Sequence, residues 1–339
     1  MIVPGLIRVF DMVKFLLDIK WVNSLITKSK KIILPGFDKV PLYDVIVFFF
    51  QQVKKVGLSE RASSISFNFL MAIPSGVIFL FTLIPYLPIS TQITEELLFL
   101  TKSFAPNQNT YLLVENFLND FLNTPRSGLL SIGFVLAIYY ASNAIMGMMR
   151  SFNRSLSHVN ERKFFADRFM AIRMTTVIIL LIIVSIMLLI TQGTLLNYLM
   201  RLLDIQNGWV KYIIHSIRLV FLVFVILYGI GFIYKYAPAI SKRWKLASPG
   251  AILATFLIFF STYGFSFYVN NFSSYNKVYG SIGTILILML LIYINSFILL
   301  VGYELNVSIH SLKAMAEERN RAEEIQQTEP LKPIYHDNA

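Results

Sequence analysis

Apolar residues run along this chain in six long blocks, and polar and charged residues crowd into the gaps between them. The blocks cover about residues 62–85, 128–150, 172–196, 212–236, 249–269 and 281–304. Each is close to the roughly 20 residues a helix needs to cross a bilayer. The pattern predicts an all-α polytopic membrane protein with six transmembrane helices. Pro74, Ser75 and Gly76 fall inside the first block and predict a kink there. The third block is almost pure Ile, Leu and Val from Met174 to Leu196 and is expected to face lipid. Ser248 as a cap and Pro249 in the first turn predict the start of the fifth helix. A turn of about ten residues, ending at Gly280, should then fold the fifth and sixth helices into an antiparallel hairpin.

Two gaps have a pattern of their own. Between Pro41 and Val56, apolar Leu42, Val45, Ile46, Phe49, Phe50 and Val53 recur at helical spacing. At about 15 residues this helix is too short to span. It should lie flat on the membrane surface or pack on the end of the bundle. In the long gap 86–127, short helices are expected around Glu95–Leu100 and Leu113–Phe121, packed on the outer end of the bundle. The predicted organisation is an amphipathic segment over 1–60, a six-span membrane domain over 61–310, and a charged tail over 311–339. The tail should extend the last helix for a few turns and then become disordered.

Charge gives the bundle a direction. From the N-terminus, the gaps carry ten, two, six, two, four and one Lys or Arg. This alternation places both termini, and the loops near residues 160 and 242, in the cytoplasm. It also accounts for the net charge of +11 without nucleic acid. Composition agrees: 56% of residues are hydrophobic and 14% charged, against about 25% charged in soluble domains. With no cysteine, the chain has no disulfide, thiolate metal site or cysteine nucleophile.

Several short motifs resemble those of the YihY/BrkB family of bacterial inner-membrane proteins. They are Pro249-Gly250-Ala251, Tyr268, Phe272 and Tyr275, Tyr279-Gly280-Ser281-Ile282-Gly283, and Gly302-Tyr303-Glu304-Leu305-Asn306. Weaker echoes are Arg61-Ala62 with Phe67 and Pro74, Ser142-Asn143, and Ser151-Phe152-Asn153. The resemblance covers about residues 40–310. It implies an envelope-integrity protein of the inner (plasma) membrane. Some relatives are associated with serum resistance or lipopolysaccharide export. Members also long carried the label of a transfer-RNA-processing ribonuclease.

The residues do not support that label. His158, His215, His310 and His336 lie in four separate regions, and Glu161 and Asp167 are the only carboxylates of their loop. A nuclease needs paired carboxylates, clustered histidines or metal ligands. No cofactor motif is present either, and in particular no phosphate-binding Gly-x-x-x-x-Gly-Lys-Ser/Thr loop.

The remaining candidates are charges and polar stripes near or within the spans, where such groups are costly. Arg218 enters the fourth span and reads as an interface anchor or a partner of Asp204. Glu304, at the inner end of the sixth span, needs a cation, and Arg61, Arg150 and Arg154 are the candidates. Thr262, Tyr263, Ser266 and Asn270 form a stripe on the fifth span, and Thr284 and Asn295 lie on the sixth. With Asn68 on the first span, and with Tyr275 and Tyr279 in the outer turn, they either hydrogen-bond between helices or line a polar cavity. In both cases the stripe should face the first or second span.

The resulting expectation is a non-enzymatic transporter or flippase of a lipid or other amphiphile. The rival from another class is a non-transporting envelope assembly scaffold. Expected partners are membrane lipids, with envelope proteins or further copies of the chain as others, and no nucleic acid.

Overall fold

The computed structural model describes residues 27–38, 40–86, 93–95, 97–99, 108–156, 163–202, 208–240, 243–271 and 274–328. For 109, 110, 113, 117, 123, 186–202, 208–219, 268–271, 274–285 and 325–328 the description is of the backbone alone. The described residues form eight long helices: α1 (Leu42–Lys55), α2 (Leu58–Leu83), α3 (Gln108–Asn123), α4 (Ser127–Asn153), α5 (Phe164–Leu202), α6 (Gly208–Tyr236), α7 (Pro249–Asn271) and α8 (Ser274–Thr328). Among the described residues there is no strand. Among the described residues, five helices are long and apolar enough to cross a membrane: α2, α4, α5, α7 and α8. The described side chains of α6 form a shorter apolar stretch, Val220–Tyr236.

Helix α2 packs along α4 and α8, α8 also packs on α7 and α1, and α5 and α6 link α4 to α7 in sequence order. The main core sits at the end of the bundle that carries the basic loops. There α4 is buried almost all round from Ala144 to Phe152, and α8 from Ser296 to Ile309. Small residues allow this closeness. A Cβ on Gly250 would collide with the carbonyl oxygen of Gly302, and one on Gly302 would lie 2.5 Å from that of Gly250. Gly133 and Gly147 similarly admit Phe79 and Asn68 of α2 against α4.

Helix α1 takes the second of its two expected places. Val45 is fully buried with Phe37, Val40 and Ile309, and Leu305 and Leu312 of α8 pack beside them. Ile46, Val47 and Phe50 remain exposed on the other side. Gly57, with φ of +60°, makes the sharp turn into α2, a conformation open to glycine. At the opposite end of the bundle, Leu118 and Leu122 of α3 pack on Ile84 and Phe81. Helical pieces at 93–95 and 97–99 join them through Ile93, Leu97 and Leu98.

One feature differs from expectation. The turn between α7 and α8 is shorter than ten residues, because α8 begins at Ser274. Tyr275 and Tyr279 therefore lie on the first turns of α8 and not in a loop. Ser273 and Ser274 suit a helix start, and Gly280 within it costs only about 1 kcal/mol. Beyond the spans, α8 runs on to Thr328, so residues 311–328 extend the last helix.

Candidate functional site: a buried charge pair beside a basic cavity

Four of the family-like motifs, Arg61-Ala62, Ser151-Phe152-Asn153, Pro249-Gly250-Ala251 and Gly302–Asn306, meet at the basic end of the bundle. Arg61, in the first turn of α2, donates from Nη1 to Oε1 of Glu304 on α8 at 2.9 Å. The two side chains are 2% and 0% exposed. Arg61 Nη2 donates to Ser155 Oγ at 2.9 Å and to the carbonyl oxygen of Ser151. Ser155 Oγ in turn donates to Glu304 Oε1. Taking two charges out of water costs several kcal/mol each, and good geometry with added hydrogen bonds offsets that. The set is incomplete: Arg61 Nε and Glu304 Oε2 are buried without a protein partner. Of the three expected cations, Arg61 binds Glu304. Arg150 and Arg154 are exposed and do not reach the carboxylate.

Neighbouring residues hold this pair in place. Phe152 stacks on Tyr303 with ring centroids 4.0 Å apart and planes at 9°. Tyr234 meets both rings edge-on at 5.8 Å, and its hydroxyl donates to the carbonyl oxygen of Leu299 at 2.6 Å. Asn153 Oδ1 accepts from the Ala239 amide at 3.0 Å. Asn306 accepts from the Gly250 amide at 2.8 Å and donates to Ser248 Oγ at 2.8 Å. It thus caps α7 from a neighbouring helix. The motif residues divide the work among them. Gly302 permits close approach, Tyr303 stacks, Glu304 binds Arg61, and Asn306 caps. On the outer side of α8, Lys313 Nζ donates to Asp38 Oδ2 at 2.9 Å. That hydrogen bond, with the charge of Asp38, raises the lysine above its ordinary range.

Beside the pair lies a cavity of about 220 Å³ lined by Glu60, Arg61, Ser64, Gly147, Arg150, Ser151 and Arg154. Asn68 stands above it, against Gly147, and donates to the Ser64 carbonyl at 2.7 Å. A further polar contact joins α5 to α4: Arg168 Nη1 donates to Asn143 Oδ1, and its guanidinium lies over the Tyr139 ring at 4.5 Å. The sequence reading missed Arg168. The signal available was Asn143, a polar residue inside a span, though nothing in its spacing points to α5.

The stripe on α7 is not where it was expected. α7 packs on α6 and α8 rather than on α2 or α4. Thr262, Tyr263 and Ser266 are exposed, Tyr263 at 80%. A helical hydroxyl can bond the carbonyl four residues back, as Thr255 does to Ala251 at 2.8 Å. It then needs no partner on another helix, so polarity does not force it inward. Asn295 is half-buried, with an enclosed Oδ1 that has no partner. The side chains of Asn270, Tyr275, Tyr279, Thr284 and Arg218 lie outside the described residues, as do His158 and Glu161. Among the described residues, no three His, Asp or Glu side chains come together to hold a metal.

A helical bundle of apolar spans locked by an internal Arg–Glu pair defines a multi-pass membrane protein, one of the inner (plasma) membrane. Residues 49–327 match the family described as Virulence factor BrkB, and the chain belongs to that family. It is 29% identical over 263 residues to YfkH of Bacillus subtilis (strain 168), a protein named as ribonuclease-like, covering 76% of this chain and 92% of that one. It is 35% identical over 85 residues to a UPF0761 membrane protein of Xanthomonas campestris pv. campestris, covering 25% of this chain and 20% of the relative. With a UPF0761 membrane protein of Pseudoalteromonas translucida the identity is 38% over 94 residues, covering 26% and 31%. The chain thus spans most of YfkH but less than a third of these UPF0761 relatives. No solved structure matches it. The family is one of membrane proteins, not a known enzyme family.

Proposed function

We propose that the protein carries a lipid or other amphiphile across the inner membrane, without enzymatic chemistry, and that its basic end faces the cytoplasm. One observation carries this reading: along α7 and α8 the described side chains are closely buried at the basic end and exposed further along. Helix α8 is enclosed almost all round from Ser296 to Ile309. From Leu286 to Leu290, exposed Leu286, Leu288, Met289 and Leu290 cover an arc of about 200° at 100° per residue. The same happens on α7, where nothing is buried between Phe256 and Phe267. Asn295 stands at the junction of the two halves, half-buried, with an enclosed amide oxygen that lacks a protein partner. Burial concentrated at the basic end supports an access route from the opposite side and from lipid. The alternation of Lys and Arg supports the orientation.

The test is transport by the full chain in proteoliposomes carrying a fluorescent phospholipid, with an impermeant quencher added outside. The expected result is exchange between leaflets faster than in protein-free vesicles. Exchange no faster than in empty vesicles, across neutral, anionic and imposed-gradient conditions, would remove the transport reading. The scaffold reading would then stand, with the exposed stripe Ile252, Phe256, Phe260, Tyr263 and Phe267 of α7 as its contact face.

A further inference from the structure

We infer that the cavity between α2 and α4 at the basic end is a binding site for a phosphate group, of the singly charged phosphodiester kind. Three guanidiniums, Arg61, Arg150 and Arg154, line about 220 Å³ with a single carboxylate, Glu60. Arg150 and Arg154 are four residues apart on one helix face, an arrangement of like charges that is unfavourable unless an anion lies between them. Neither forms an ion pair or a side-chain hydrogen bond with any described residue, and both share the cavity with Glu60 without binding it. Arg61 is 3% exposed and lines the same cavity with a partnerless Nε. Its remaining nitrogens are engaged by Glu304, Ser151 and Ser155. Counting Glu60 and Glu304 against the three arginines leaves one positive charge. A phosphodiester balances that charge, whereas a phosphomonoester, at about −1.5 to −2 near neutral pH, exceeds it. Guanidinium forks match phosphate oxygens two at a time. The hydroxyl of Ser64 and the small Gly147 complete a wall that leaves room for the group.

The proposal does not depend on transport and is tested by binding. The full chain, purified in detergent, is titrated with phosphatidylglycerol and, separately, with inorganic phosphate. Retention of lipid is read by native mass spectrometry and phosphate binding by calorimetry. Wild type is compared with R150Q/R154Q, with R150K/R154K, and with R243Q as a control on a different basic loop. Removing two charge-assisted hydrogen bonds should weaken binding about tenfold or more; the lysine pair should recover part of it, and R243Q should match wild type. Arginine-dependent retention of phosphatidylglycerol identifies a lipid head group as the source. Arginine-dependent binding of inorganic phosphate without retention of phosphatidylglycerol would overturn the phosphodiester assignment. Binding of either probe unchanged by R150Q/R154Q, or equally reduced by R243Q, overturns the site. Both arginines are exposed, so the glutamine variant is expected to fold, and an unchanged melting profile checks that point.

Discussion

The charge pair between α2 and α8 makes the sharpest prediction, because the loss of one partner differs from the loss of both. At 2.9 Å and an effective dielectric near 20, the attraction between Arg61 and Glu304 is about 6 kcal/mol. Most of it is consumed by desolvation, since both side chains are almost fully buried. Substituting Glu304→Gln keeps an oxygen that can accept from Arg61 and Ser155. It nevertheless leaves a buried guanidinium with no counter-charge, an error that typically costs about 3–5 kcal/mol. Because the amide retains hydrogen bonds, a loss of about 3 kcal/mol, at the lower end of that range, is expected. Arg61→Gln should cost a similar amount by stranding the carboxylate. The double substitution, which leaves two neutral amides face to face, should cost much less than the sum. Reversible unfolding of the detergent-solubilised protein, followed by circular dichroism, gives all four corners of this cycle. A coupling of at least about 2 kcal/mol is expected for groups in direct contact. Additive single effects, or single effects below about 0.5 kcal/mol, would show that the pair does not hold α2 on α8.

Other outcomes follow from the same end of the bundle. Gly302→Ala places a Cβ 2.5 Å from the Gly250 carbonyl oxygen, 2.6 Å from the Tyr234 hydroxyl and 2.8 Å from Ala254; overpacking of about 1–3 kcal/mol should lower the melting temperature. Asn306→Leu uncaps α7 at Gly250 and should cost about 1–2 kcal/mol in the same assay. For orientation, single cysteines replacing Ser157 or Ser241 should resist an impermeant thiol reagent in intact cells, and ones replacing Asn107 or Ser274 should react; the opposite pattern would invert the bundle. A lysine raised by its partner contributes stability fully present below its unfolded pKa and lost as pH rises through the folded one. The Lys313–Asp38 tie should therefore be constant through neutral pH, and Asp38→Asn should return Lys313 towards its ordinary titration, read by NMR of methylated lysine.

Which parts of this arrangement could be read from the chain depends on how local their causes are. The apolar blocks predict helices because hydrocarbon demands internal backbone pairing, and all six blocks are helical in the structure. Glu304 was legible as a residue in need of a cation, and Arg61 as one of three candidates. The choice among the three depends on how α2 crosses α8, which spacing does not encode. Asn306 stood out only as part of a motif, and its capping role exists because α7 is brought against it. Arg168 looked like one more positive charge on an inner loop, and only the packing of α5 on α4 directs it to Asn143 and Tyr139. The α7 stripe misled because amphipathicity was taken to mean burial, although hydroxyls within a helix can satisfy themselves.

Helix α8 is one unbroken rod from Ser274 to Thr328. It touches α7 most tightly at Gly302, and 26 residues of helix lie beyond that point, about 39 Å of stiff lever. A tilt of only about 10° about Gly302 would carry Thr328 sideways by about 7 Å. Small rearrangements among the spans would therefore arrive at the basic side as large displacements, against the tether that Asp38 places on Lys313. A spin-label pair on this arm and on α1 would act as a pointer for motions deep in the membrane that are too small to follow directly.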